Sequence, residues 1–185
     1  ITPDPLVARD DLPATYDNGC HLNHGKLASP PCVFADTGSA TRVVLLGDSH
    51  AAQWFPALEA AAANRGWALV SRTKSGCPAP DVTIWLRSLK RPYDECDTWR
   101  ESVFADLTGA DKPALVLATS TQTESLVSRV DGSRLDGAPA QQEWRDGWDR
   151  TLERFTAAGV PVVVLRDTPW PGTDVARCVS EHLDD

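Results

Sequence analysis

Three residues able to do acid, base or nucleophilic chemistry stand together in Gly47-Asp48-Ser49-His50, directly after the apolar run Val43-Val44-Leu45-Leu46. A hydroxyl placed where a buried strand gives way to a helix meets backbone N–H groups that have no partner inside that helix, and the helix dipole favours negative charge there. That environment suits acyl transfer, in which a serine oxygen attacks a carbonyl carbon and an oxyanion develops beside it. Ser49 is therefore the candidate nucleophile. The plainer alternative is that Ser49 merely caps the following helix, a common use of Ser and Asp. Asp48 is better suited to bracing the turn by accepting nearby N–H groups than to acid catalysis. His50 follows the serine directly, and neighbours at a helix start point in different directions. It is expected to shape the pocket and not to take the Ser49 proton.

The elements that must hold this tetrapeptide follow from hydrophobic periodicity. Arg42 to Leu46 reads as a first strand and Pro56 to Arg65 as a helix stopped by Gly66. Proline is tolerated only near a helix start, so the turn from His50 to Phe55 is expected to be separate from that helix. Trp67 to Thr73 reads as a second strand, Asp94 to Leu107 as a helix with Trp99, Val103 and Leu107 on one face, and Pro113 to Thr119 as a third strand. Ala140 to Ala158 carries the clearest stripe, Trp144, Trp148, Leu152 and Phe155. The β-branched run from Val160 to Arg166 is a fourth strand. Strands alternating with helices imply right-handed crossovers and a parallel sheet covered on both faces, an α/β class fold built as a three-layer α/β/α sandwich.

Composition bounds the function. The 185 residues, 42% hydrophobic, suffice for one globular domain, and a formal charge of −8 without basic clusters argues against nucleic acid as a partner. No apolar run approaches the roughly 20 residues that span a bilayer. Ile1-Thr2-Pro3-Asp4-Pro5 has neither a basic nor an apolar segment of a signal peptide and reads as the start of an excised domain. Residues 1–40, rich in Pro, Gly, Asp and Asn, read as an irregular extension, and residues 41–185 as the domain proper. The cysteines at 20, 32, 77 and 96 fall into two local pairs. Bridges Cys20–Cys32 and Cys77–Cys96 would each stabilise by roughly 3 kcal/mol and point to an oxidising compartment. Buried free thiols are one alternative, and a zinc site from Cys20, His21, His24 and Cys32 is another, though adjacent Cys20 and His21 fit one tetrahedral ion poorly. Cys178 is left over, which suggests a partner outside these residues.

The block Gly47-Asp48-Ser49-His50, with Ala51-Ala52-Gln53-Trp54 behind it, resembles the first sequence block of the SGNH (GDSL-like) hydrolase superfamily. More narrowly, the chain resembles the SGNH domain fused to membrane acyltransferase-3 proteins, which O-acylate surface carbohydrates. Cys20 and Cys32 match that subfamily's cysteine-containing extension, and Gly76-Cys77-Pro78 its Gly-Cys-Pro segment. The resemblance implies an oxyanion hole of three donors: the Ser49 N–H, Gly76 after the second strand and a polar residue after the third. Where the superfamily often has Asn, this chain reads Thr119-Ser120-Thr121-Gln122, so Ser120 or a main-chain N–H takes that place. The resemblance also implies a base in an Asp-x-x-His motif. No such motif occurs here, and His182, preceded by Val179 at that spacing, is a poor substitute. The expectation is that the catalytic loop, a fifth strand and a partner for Cys178 follow residue 185. The competing expectation is an inactive domain.

Ring faces complement the apolar face of a pyranose, which makes Trp170, in Thr168-Pro169-Trp170-Pro171, the leading candidate for sugar stacking. Trp54 and Trp85 are further cleft candidates, whereas Trp99, Trp144 and Trp148 are assigned to the core. No phosphate loop or carboxylate cluster suggests a cofactor or metal. The expected function is extracytoplasmic, membrane-tethered O-acyl transfer, specifically O-acetyl transfer, through a serine ester. The acyl donor would come from a membrane acyltransferase domain of the same full-length protein, and the acceptor would be a cell-surface or cell-wall glycan. A secreted carbohydrate esterase and a catalytically degenerate glycan-binding module are the alternatives.

Overall fold

A continuous run of Val and Leu is buried on both faces only in the middle of a covered sheet, and that is where β3 (Arg42–Gly47) lies. It pairs in parallel with β4 (Ala68–Lys74) on one side and β7 (Leu115–Thr119) on the other, and β10 (Val162–Val164) adds in parallel outside β7. Alternate residues of β3 face different cores. Leu45 packs with Ala51, Phe55 and Ala62 from α1 (Ser49–Ala52) and α2 (Phe55–Arg65). Val44 and Leu46 face Trp99, Phe104 and Phe155 from α3 (Asp94–Leu107) and α4 (Gly137–Ala157). Helices thus cover both faces, giving the three layers expected. The computed structural model describes residues 3–123, 125–169 and 171–182.

The break between α1 and α2 falls ahead of Pro56, as proline's missing N–H requires. Gly66, at φ 64°, closes α2 in the left-handed conformation. The bounds of α3 agree with the periodicity, and Asp94, Glu95 and Asp97 in its first turn complement the helix dipole.

Short pairings are where structure and sequence part. The extension is not wholly irregular, because β1 (His21–Leu22) pairs in parallel with the carboxyl end of β4 and β2 (Val33–Ala35) pairs antiparallel with its start. The main sheet is therefore mostly, not wholly, parallel, in the order β1-β4-β3-β7-β10 with β2 also on β4. A second, antiparallel sheet joins β5 (Thr83–Leu86), β6 (Arg91–Pro92), β8 (Leu126–Val127) and β9 (Arg134–Leu135) in the order β6-β5-β8-β9. Strands of two to four residues carry too little alternation to show a period. Residues 175–181, unassigned from the sequence, form α5 (Val175–Glu181), which Asp174 caps by accepting the Arg177 N–H.

Both disulfides are present, Cys20–Cys32 and Cys77–Cys96, so the cysteines of the zinc alternative are already bonded to each other. Cys178 is an exposed free thiol. No helix among the described residues is long and apolar enough to cross a membrane.

Candidate active site

Gly47 ends β3 at φ 146°, and a Cβ there would overlap the Thr119 carbonyl oxygen and lie 2.9 Å from Ala51 Cβ. Only glycine lets the carboxyl ends of β3 and β7 close this tightly while the chain turns into α1. Asp48 caps that helix: its Oδ1 accepts the His50 N–H at 2.8 Å and its Oδ2 the Thr121 N–H at 3.1 Å. The carboxyl group is almost wholly buried. Burial pushes its pKa up to about 6, against the two N–H bonds and the His50 ring, which favour the carboxylate.

Ser49 is the first residue of α1 and is half-buried. It lines an open cavity of about 480 Å³ with Leu12, Pro13, Tyr16, Gln53 and Pro56. His50 Nδ1 donates to Asp167 Oδ1 at 2.6 Å. Asp167 Oδ1 also accepts the Thr168 N–H at 2.8 Å, and Gln53 Nε2 donates to Thr168 Oγ1 at 3.3 Å. Two bonds thereby fasten α1 to the segment after β10.

Gly76 follows β4 at φ 59° and shares a cavity of about 230 Å³ with Asp48, Thr121 and Trp85. The structure thus brings Gly76 to the same sheet edge as the serine turn. Ser120 is there too, but its hydroxyl donates to Thr119 O at 2.6 Å and accepts the Ala79 N–H at 2.7 Å. Its proton is committed to the main chain, and the Thr121 N–H is committed to Asp48. Gln122, two residues on, borders a cavity of about 440 Å³ with Ser120, Trp144, Trp148, Asp167 and Thr168.

The tryptophans redistribute. Trp85 lines the Gly76 cavity, whereas Trp54 packs on the Leu45–Phe55 core and not in the cleft. Trp148, assigned to the core from its helical stripe, does pack against the main core, half-buried, and also borders the Gln122 cavity. Trp170 lies outside the described residues. His182 sits at the end of α5, where its Nδ1 bonds the Cys178 carbonyl at 2.8 Å.

The sequence reading missed Asp167 and Tyr16. Asp167 had a legible signal, since a polar residue just past a parallel strand stands where α/β sheets place ligands. Tyr16 had none beyond its nearness to Cys20. The extension that carries it is anchored through the end of β4. His21 bonds Thr73 Oγ1 at 3.0 Å and Ser75 Oγ at 3.1 Å, and burial lowers its pKa to about 4. Lys74 Nζ donates to the carbonyls of Asn23, His24 and Lys26, and burial lowers its pKa to about 8. A buried ammonium is tolerable there because three carbonyl oxygens replace its water.

A model of the SGNH domain fused to AT3 domains matches residues 19–185. No curated protein sequence matches the chain. Among solved structures, the periplasmic domain of a lipopolysaccharide acetyltransferase from Salmonella ser. Paratyphi A is similar, with a TM-score of 0.57 and 19% identity over 92% of this chain and 55% of that one. That likeness is one of fold, and this chain spans just over half of that structure's length.

Proposed function

This chain belongs to the family of SGNH domains fused to AT3 domains, and from that premise we propose that it is the extracytoplasmic part of a membrane-tethered O-acetyltransferase acting on a surface glycan. The observation that carries the reading is Ser49, half-exposed at the first position of α1 behind the closure of Gly47 on Thr119. The two disulfides support an oxidising compartment. The Salmonella structure, itself named a lipopolysaccharide acetyltransferase periplasmic domain, supports acetyl as the group and a glycan as the acceptor.

In this reading the Ser49 Oγ bonds to the carbonyl carbon of the acyl donor, the donor's leaving group departs with its electron pair, and the Oγ proton passes to a base. A sugar hydroxyl oxygen then attacks the serine ester as the base takes the hydroxyl proton, the bond from the carbonyl carbon to Ser49 Oγ breaks, that proton passes to the Oγ, and the sugar ester departs. Water in place of the sugar gives hydrolysis. The Ser49 and Gly76 N–H groups receive the oxyanion, Asp48 fixes the turn, and His50 with Asp167 holds the neighbouring segment. The family resemblance assigns the base to an Asp-x-x-His motif that residues 1–185 do not contain, so the test belongs in the full-length protein. There, Ser49→Ala is expected to lower transfer and ester hydrolysis at least a thousandfold, the scale on which loss of a nucleophile acts. A serine-directed fluorophosphonate should label the wild type at residue 49. Undiminished turnover in the alanine variant would sink the assignment.

A further inference from the structure

The chain has two tyrosines, and the fold uses them differently. Tyr93 is fully buried and its hydroxyl donates to the carbonyls of Ser75 at 3.0 Å and His24 at 3.2 Å. Tyr16 is half-buried, borders the cavity that holds Ser49, and its hydroxyl enters no hydrogen bond among the described residues. Its ring is nonetheless fixed. It stacks on His21 with centroids 4.3 Å apart, and both nitrogens of that imidazole are bonded to Thr73 and Ser75 at the end of β4. The segment is closed by Cys20–Cys32 four residues away.

An immobilised phenol with an unspent O–H, on a residue that borders the same cavity as Ser49 as well as a second one beside Asn18 and Lys26, loses little freedom when a ligand arrives. We propose that the Tyr16 hydroxyl is a substrate-positioning group that donates a hydrogen bond to an oxygen of the ester reacting at Ser49. The inference rests on Ser49 being the nucleophile. Burial and the nearby Asp48 carboxylate both raise the Tyr16 pKa, which keeps the proton on the phenol at neutral pH. The extension is then part of the reaction site, delivered by the sheet edge it pairs with.

The test compares wild type, Tyr16→Phe and Tyr16→Ala in the full-length protein. It uses p-nitrophenyl acetate hydrolysis, resolved into kcat and KM, and the rate of fluorophosphonate labelling at Ser49. Phenylalanine keeps the stack on His21 and removes only the hydroxyl. A lowering of kcat/KM and of labelling by about tenfold in Tyr16→Phe, with an unchanged melting temperature, is the expected result and matches one hydrogen bond of ordinary strength. Tyr16→Phe within twofold of wild type while Tyr16→Ala is slow would reduce the residue to a packing role and overturn the proposal. Labelling equal in wild type and Tyr16→Phe removes the Tyr16 role alone, whereas a wild type that never labels removes the Ser49 assignment and the Tyr16 role together.

Discussion

Asp48 joins two demands that oppose each other. The turn needs an acceptor for the His50 and Thr121 N–H groups, yet the site that supplies them is dry. Because burial raises its pKa from 3.8 to about 6, the folded protein holds a proton that the unfolded chain gives up between those values. Stability from this group is therefore greatest at low pH and falls as pH rises through that window, by up to about 3 kcal/mol. Asp48→Asn keeps an acceptor for the His50 N–H and removes the titration. Urea midpoints measured from pH 4 to pH 7 should rise more steeply with pH in Asp48→Asn than in wild type. Parallel curves would show that the carboxyl is not desolvated.

Among the elements, β4 organises more of the site than its sequence suggests, since its far edge receives both strands of the extension and its end supplies the bonds that seat His21. His21 responds to pH with the sign opposite to Asp48. Its pKa falls from 6.5 to about 4, so the folded state excludes a proton that the unfolded chain takes up. Its stabilisation is complete above pH 6.5 and is lost as pH falls towards 4. His21→Gln retains groups able to bond Thr73 and Ser75 and should flatten the acid loss, measured by the same urea midpoints. An acid limb as steep as that of wild type would place its origin elsewhere. The tie between His50 and Asp167 does for α1 what His21 does for the extension: each pins a loop through one imidazole.

In the whole molecule, the second sheet is held against α4 through a contact that depends on a missing side chain. A Cβ at Gly147 would overlap Val82 Cγ1 and come within 3.1 Å of the Asp81 carbonyl oxygen. Neither can yield easily. Val82 is fully buried, and the Asp81 carboxylate faces Arg100, Arg129 and Arg150 while its N–H donates to Gly147 O at 3.1 Å and Thr151 Oγ1 at 2.9 Å. Alanine would raise intrinsic helix propensity by about 1 kcal/mol, but overpacking at such a contact costs about 1–3 kcal/mol. Gly147→Ala is therefore expected to lower the urea midpoint, and a raised midpoint would mean that the sheet can shift away from the helix.

The serine turn, the four main parallel strands, the three long helices and the two disulfide pairings are legible in the sequence, because each rests on local pattern. A run such as Val43–Leu46, a stop such as Gly66 or cysteines 12 and 19 residues apart carry their reasons within a short stretch of chain. Only tertiary structure decided that Tyr16 reaches the Ser49 cavity, that Asp167 meets His50 across 117 positions, that the Ser120 proton is spent on Thr119 and that Trp148 borders a cleft. Those outcomes depend on where the carboxyl edge of one sheet gathers distant segments, and on hydrogen bonds whose partners no periodicity records.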